Sequence, residues 1–299
     1  MEQMPSNLAA AKEIGAQTTV IVPAYNEEEN VGGVIDRINA LGLGLEILVV
    51  DDASTDKTSD VALAKGARVV RHPYNKGNGA SVKTGLRNTE RKYIIVVDGD
   101  GQHPPEEIPT MLSLLPQYEL VVGTRVRGSR TSGFRDMGNF VFNNFASYVA
   151  GCRIPDLTSG FRAMPRKVAM EFIHLYPNQF SLPTTSTLSV IKSGYSIYYH
   201  PIKSEVRKGR SKVRPFSDGL KFLMIIVKIA TFFKPLRVFL PISVFLFILG
   251  LIFGILSSVI AGRPRLTEFP MLCLFSSLLM FFMGLISEQI SNLRFAGRD

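Results

Sequence analysis

Residues 238–261 read VFLPISVFLFILGLIFGILSSVIA, twenty-four consecutive positions without a charged side chain. At about 1.5 Å per residue a helix of that length crosses a hydrocarbon core of roughly 30 Å. A core helix of a soluble protein seldom runs so far without a polar face. Pro241 lies near the start of the run, where a proline is easily accommodated. A second uncharged run, residues 269–286, has 18 positions and is near the lower limit for a span. The link 262–268 is short and contains Pro264, so two membrane helices at about 236–261 and 269–288 are expected to form a hairpin within residues 235–293. Residues 294–299 are left as a tail.

Charge says which way the hairpin faces. The chain of 299 residues has 34 Lys+Arg against 25 Asp+Glu, net +9. Residues 1–202 hold 20 of each sign, whereas residues 203–237 hold ten basic side chains (Lys203, Arg207, Lys208, Arg210, Lys212, Arg214, Lys221, Lys228, Lys234 and Arg237) against Glu205 and Asp218. The loop between the spans has only Arg263 and Arg265. The positive-inside rule then predicts an integral membrane protein whose N-terminal part and C-terminus are cytoplasmic. Residues 216–234 are apolar with Lys221 and Lys228 on one helical face, which predicts an interfacial amphipathic helix on anionic membrane lipids. Nucleic acid is not an expected partner, because few aromatics accompany these charges before Phe216 and the adjoining spans explain them better. Residues 1–16 form a tail with no long apolar run and do not read as a signal peptide. Cys152 and Cys273 are too few for a disulfide scaffold or a cysteine zinc site and are read as unpaired. Gly250 and Gly254 (G-x-x-x-G) and the SSVIA stretch offer small-residue surface on which copies of the hairpin could form a homo-oligomer.

Upstream, short apolar runs alternate with amphipathic stretches. Residues 18–22, 46–50, 68–70, 94–97 and 120–122 read as buried strands; 28–41, 55–64, 77–88 and 105–115 read as helices. Ser54 or Thr55 is expected to cap the second helix, with Asp56 near its positive end. This alternation predicts an α/β domain with a mostly parallel, Rossmann-like sheet, and such sheets bind ligands beyond the carboxyl ends of their strands. Four of the strands run directly into polar segments: Pro23-Ala24-Tyr25-Asn26-Glu27, Asp51-Asp52-Ala53-Ser54, Asp98-Gly99-Asp100-Gly101-Gln102-His103, and Gly123-Thr124-Arg125.

Asp98 and Asp100, two residues apart beside small Gly99 and Gly101, can approach a divalent ion and its phosphate ligands, with Gln102 as a neutral oxygen donor. Mg²⁺ or Mn²⁺ suits such oxygen donors. His103, before Pro-Pro, reads as structural, and His72, His174 and His200 show no metal-ligand spacing. Asp51-Asp52 could bind ribose hydroxyls or a base. A dinucleotide site is excluded because P-A-Y-N-E-E stands where G-x-G-x-x-G is needed, and Gly77-Asn78-Gly79 does not continue into a Walker A loop.

Taken together, IVPAYNEEENV, VVDDASTDKT, NKGNGASVKTG, VVDGDGQHPPE, VVGTR and DLTSGFRAM resemble a family 2 glycosyltransferase of the GT-A fold. The D-G-D-x-Q-H-P-P-E form and the hairpin are most similar to the polyprenyl-phosphate glycosyltransferases, the group of dolichol-phosphate-mannose synthases and bactoprenol glucosyltransferases. The likeness covers about residues 17–215, with the hairpin matching by architecture. It implies that Pro23, Tyr25, Glu27, Asp52 and Asp98 hold the nucleotide, and that Asp98, Asp100 and Gln102 hold the metal and diphosphate. It places Arg125 near the phosphates or acceptor and Arg207, with Gly209, Ser211 and Lys212, in a basic loop closing over the donor diphosphate. Asp100, Arg125 and Arg207 are thereby the implied catalytic set, and Arg135 and Lys212 the implied contacts to the acceptor phosphate. Where the family often has a Ser four places after that Arg, this chain has Asn139.

The implied activity is an inverting hexosyl transfer from a nucleotide sugar to a polyprenyl phosphate, with a UDP-glucose-like donor favoured and GDP-mannose the alternative. A lipid phosphate is already anionic at neutral pH, so the site must supply charge stabilisation and alignment rather than a strong base. A processive polysaccharide synthase is disfavoured, since Q-x-x-R-W is missing, the chain has no Trp, and two spans are too few for a sugar channel. A non-catalytic scaffold or sugar-nucleotide sensor is disfavoured because Asp98, Asp100 and the basic loop are intact.

Overall fold

The computed structural model describes residues 11–125, 143–148, 150–179, 182–203, 231–263 and 267–295. The expected sites at Arg135, Arg207 and Lys212, and most of the 216–234 helix, lie outside them.

Two units are distinguished: residues 1–143 with 154–213, and residues 144–153 with 214–299. The first is built on a seven-stranded sheet. Its strands are β1 (Thr18–Ala24), β2 (Glu46–Asp51), β3 (Arg68–Arg71), β4 (Tyr93–Val96), β5 (Leu120–Arg125), β6 (Arg162–Pro165) and β7 (Ile197–Ile202). Their order is β3-β2-β1-β4-β6-β5-β7. β1, β2, β3 and β4 are mutually parallel, as are β5 and β7, while β6 runs antiparallel between β4 and β5. The five expected strands are all present. β1 is buried along its whole length and β2 at all but its first residue, as continuous apolar runs must be when both faces of a parallel sheet are covered.

The connecting helices are α1 (Val31–Asn39), α2 (Thr58–Ala64), α3 (Asn78–Arg87) and α4 (Ile108–Leu114), the last preceded by a 3₁₀ turn at Pro105–Glu107. α5 (Arg166–Glu171) and α6 (Leu182–Lys192) follow β6. Val31, Val34, Ile35 and Ile38 of α1 join Ile108, Met111 and Leu112 in the core with Val20, Val22, Ile95 and Val121. The expected cap of α2 by Ser54 or Thr55 is not formed. The helix begins three residues later, the Ser54 hydroxyl accepts the Asn26 N–H (2.9 Å), and Asp56 takes the Thr58 N–H (3.0 Å). Ser54 is thus spent on joining two loops at the sheet edge.

The second unit contains α7 (Leu236–Ala261) and α8 (Glu268–Phe295), both long and apolar enough to cross a membrane. Most of their large apolar side chains are exposed, among them Phe245, Ile255, Phe275 and Ile286, which is the arrangement lipid requires. Within the pair, the Ser243 hydroxyl donates to the Ser277 carbonyl (2.9 Å), and Glu288 accepts the Leu236 N–H (3.2 Å) at the start of α7. Of the small-residue surface noted in the sequence, the glycines face into the hairpin, while Val259 and Ile260 of the SSVIA stretch are exposed. Gly250 and Gly254 are buried, and a side chain at Gly250 would meet Leu274 at 2.9 Å. Two of the ten collar cations are also spent within this unit. Lys234 Nζ reaches the Ala150 carbonyl (3.4 Å), and the Arg237 guanidinium donates to the Tyr148 carbonyl and lies over the Tyr148 ring.

Candidate active site

The polar residues singled out from sequence gather at the carboxyl ends of β1, β2, β4 and β5. After β1, Asn26 adopts the left-handed region (φ 55°), and Ala53 after β2 does the same (φ 63°). Such conformations are costly for residues with a Cβ and persist where the surroundings over-determine them. Here the two turns are stitched together. Besides the Ser54 bond, the Glu27 N–H donates to Thr58 Oγ1 (2.9 Å), and the Thr55 N–H donates to Asn26 Oδ1 (2.8 Å). Tyr25 is left exposed at the rim beside buried Ala24. Burial pushes the Asp56 carboxyl up, but its hydrogen bonds from Thr58 and from the Glu28 N–H outweigh this and hold it below the usual carboxylate range.

Asp51 and Asp52 are both buried. Asp51 accepts the Ser54 N–H (2.8 Å) and the Ser59 hydroxyl. Asp52 accepts the Lys76 N–H (2.8 Å) and the Gly77 N–H (2.7 Å), and it meets His72 Nδ1 at 2.7 Å. Asp52 therefore organises the Lys76–Gly77 loop. That loop is pressed onto the backbone of residues 177–179. The Ala80 N–H donates to the Asn178 carbonyl (2.9 Å), Gly77 has φ +100°, and a Cβ on Gly79 would stand 2.2 Å from the Pro177 carbonyl. The N-K-G-N-G motif is a backbone-to-backbone junction, and its glycines are what permits the approach.

After β4, the Asp98 N–H donates to His103 Nδ1 (3.2 Å), which assigns the ring proton to Nε2, 3.8 Å from Asp98 Oδ2. His103 is buried and stacks on Phe161 (5.4 Å between centroids). Asp100 accepts the Gln102 N–H (3.1 Å). Gly160 closes over Asp98 so tightly that a Cβ there would lie 2.8 Å from Oδ2. Among the described residues no group of three or more His, Cys, Asp or Glu side chains is arranged to hold a metal alone. Two carboxylates two residues apart suit a hard cation that takes its remaining ligands from phosphate and water, as Mg²⁺-type sites do.

At the end of β5, Arg125 is clamped by Asp156: Nε to Oδ2 is 2.8 Å and Nη2 to Oδ1 is 2.9 Å, with Nη2 also 2.6 Å from Thr158 Oγ1. Burial pushes the Asp156 carboxyl up, but the hydrogen bonds and charge of Arg125 outweigh it and hold the group below the usual range. Sequence reasoning assigns Arg125 to the substrates without a protein partner. Asp156 lies 31 residues away inside a quoted motif, D-L-T-S-G, where an isolated acid beside Thr and Ser carries no pairing signal. Sequence reasoning also misses Arg162, two residues beyond that D-L-T-S-G stretch. It is an arginine in the middle of the sheet, 1% exposed.

These features define an α/β domain of the GT-A fold, with Asp51, Asp52, Asp98 and Asp100 at the carboxyl edge of its sheet, followed by an apolar helical hairpin. Residues 19–173 match Glycosyl transferase family 2 and residues 234–293 match the GtrB C-terminal hairpin, so the chain belongs to glycosyl transferase family 2 and is a glycosyltransferase. It is 30% identical over 213 residues to a dolichyl-phosphate hexose transferase of Haloferax volcanii, covering 70% of this chain and 92% of that one. It is 27% identical over 295 residues to an undecaprenyl-phosphate 4-deoxy-4-formamido-L-arabinose transferase of an Enterobacter species, covering 93% and 89%. The fold is shared with glucosyl-3-phosphoglycerate synthase of Mycobacterium tuberculosis, solved with Mn²⁺, UDP-glucose and phosphoglyceric acid, at a TM-score of 0.59 and 21% identity over 77% of this chain and 84% of that one.

Proposed function

We propose that the protein is a membrane-bound, inverting hexosyltransferase that moves one sugar from a nucleotide sugar to a polyprenyl phosphate. The observation carrying this reading is that one chain holds both the Asp98/Asp100 edge and a hairpin of two apolar helices matching the GtrB C-terminal hairpin. The names of the two relatives, each a polyprenyl-phosphate sugar transferase, support the acceptor class. A UDP-hexose, glucose first, is the favoured donor, and the UDP-glucose complex on the same fold is compatible with it.

In this reading Pro23, Tyr25, Glu27, Asp52 and Asp98 surround the nucleotide, Asp52 through the loop it organises. A divalent cation, Mg²⁺ or Mn²⁺, held by Asp98, Asp100 and Gln102 would offset the charge of the donor diphosphate. Gly160 and His103 keep Asp98 in place. The acceptor's phosphate oxygen attacks the anomeric carbon as the bond to the diphosphate breaks. One displacement inverts that centre, so an α-linked donor gives a β-linked lipid phosphosugar and a free nucleoside diphosphate. Arg207, Arg135 and Lys212 are assigned to the two phosphates on the sequence resemblance. The remaining basic collar would favour anionic lipids and a cytoplasmic catalytic domain.

The test is transfer by the purified full chain in detergent, with undecaprenyl and dolichyl phosphate as acceptors and labelled UDP-glucose and GDP-mannose as donors. One lipid-linked monosaccharide, lost in Asp100→Ala, is expected. A polymeric product, or undiminished transfer by Asp100→Ala, overturns the reading.

A further inference from the structure

Arg162 is an expensive residue. Its guanidinium is fully buried, and its four hydrogen bonds all go to neutral oxygens: Nε to the Ser159 carbonyl (2.8 Å), Nη2 to the Leu157 carbonyl (3.4 Å), and Nη1 to Ser186 Oγ (2.8 Å) and Thr187 Oγ1 (2.7 Å). Both α6 hydroxyls donate to the Pro183 carbonyl at 3.0 Å, so each turns a lone pair toward the guanidinium. Tyr176, buried nearby, is held neutral because burial pushes its phenol up, and it supplies no counter-charge. Burial lowers the pKa of Arg162 to about 10 against the attraction of the Asp156 and Asp98 carboxylates, so the group stays charged at neutral pH. A buried cation without a hydrogen-bonded carboxylate carries a desolvation penalty that an apolar residue of similar volume does not. Stability does not explain it.

Its bonds point to its use. Residues 157–161 form the turn that carries Gly160 onto Asp98 and Phe161 onto His103, and Asp156 and Thr158 beside them hold Arg125. Arg162 grips that turn at two carbonyls and ties it to α6. Its own strand position pairs with Val96, two residues before Asp98, and with Val122, three before Arg125.

We propose that Arg162 is the positioning residue of the diphosphate–cation site: it pins the 157–161 turn, and with it Gly160, against Asp98. This rests on the reading of Asp98 and Asp100 as cation ligands. Partners that orient a metal ligand from behind are worth about 10- to 100-fold in metal affinity.

The experiment is Mn²⁺ binding to the full chain in detergent, followed by electron paramagnetic resonance with UDP or GDP present, alongside thermal unfolding. Arg162→Met is expected to unfold no earlier than wild type, while its affinity for the Mn²⁺–nucleotide complex falls about tenfold; Arg162→Lys, keeping the charge without the fork, should recover part of that. A second variant, Ser186→Ala, removes one acceptor remote from the acids and should weaken Mn²⁺ binding less, by about threefold. A purely structural role would lower the melting temperature and leave the affinity of the folded fraction unchanged. Wild-type affinity in folded Arg162→Met, or in Ser186→Ala should Arg162→Met not fold, overturns the proposal alone. Wild-type protein that binds neither nucleotide with Mn²⁺ overturns the reading beneath it as well.

Discussion

Arg125 and Asp156 face each other in a two-point ion pair, with Nε–Oδ2 at 2.8 Å and Nη2–Oδ1 at 2.9 Å. The pair fastens the end of β5 to the D-L-T-S-G turn. Asn143 is fastened to the same turn: its Nδ2 donates to the Pro155 carbonyl (2.8 Å) and its Oδ1 accepts the Leu157 N–H (3.1 Å). One short segment thus secures the chain on both sides of residues 126–142 and shapes the Asp98 site.

Breaking this pair should cost more than an exposed bridge. Asp156→Asn keeps the volume but leaves Arg125 facing a neutral group. A loss of about 1–3 kcal/mol in unfolding free energy is expected, Arg125 being partly exposed. Chemical denaturation of the solubilised protein, with transfer assayed in parallel, checks both stability and function.

The same pair sets an acid limit. The folded-state pKa of Asp156 lies below its ordinary value of 3.8, so the pair's contribution is complete above that value and is lost as pH falls through the lower folded-state pKa. Wild-type stability should therefore decline on the acid side more steeply than that of Asp156→Asn. Melting temperatures of the two proteins across the acid range give the comparison, and parallel curves would refute it.

Gly160→Ala adds one methyl, 2.8 Å from Asp98 Oδ2. The φ of Gly160 is not in the left-handed region, so the substitution should fold, and its effect should fall on the carboxylate. Transfer is expected to drop by about tenfold or more with a raised metal requirement. An unchanged metal titration would mean that Asp98 is not held from this side.

Gly79→Ala should act on stability. Its Cβ would meet the Pro177 and Gln179 carbonyls at 2.2 and 2.7 Å, backbone atoms that cannot swing aside. The expected cost is about 1–3 kcal/mol, read by thermal unfolding.

Cys152 is exposed and Cys273 is buried against Gly250. If the catalytic domain is cytoplasmic, a membrane-impermeant maleimide should label Cys152 in inverted vesicles and leave it unlabelled in intact cells. Labelling from outside would reverse the topology argued from the basic collar.

Strands β1 to β5 were legible because a strand buried on both faces is a continuous apolar run ended by turn residues. β6 and β7 were not. β6 is four residues, RAMP, beginning with the buried Arg162 and ending in proline, and β7 is only partly buried along most of its length, so neither shows an apolar run. The Asp-Gly-Asp edge could be found from its place after an apolar strand. His103 and Asp156 could not be given their roles, since each depends on a partner from a distant segment.

The one-dimensional pattern of charge and hydrophobicity determined two things: an α/β domain with acids at the carboxyl edge, and a hairpin long enough to cross a bilayer. Both follow from local rules, namely strand and helix periodicity and the length of an uncharged run. Only the tertiary structure decided how the polar groups are spent. Gly250 and Gly254 turn inward, Lys234 and Arg237 serve carbonyls, Asp52 holds a loop, and Arg125 is bound to Asp156. A donor or acceptor finds its partner by proximity in space, and the segments that meet here are separated by dozens of residues in the chain.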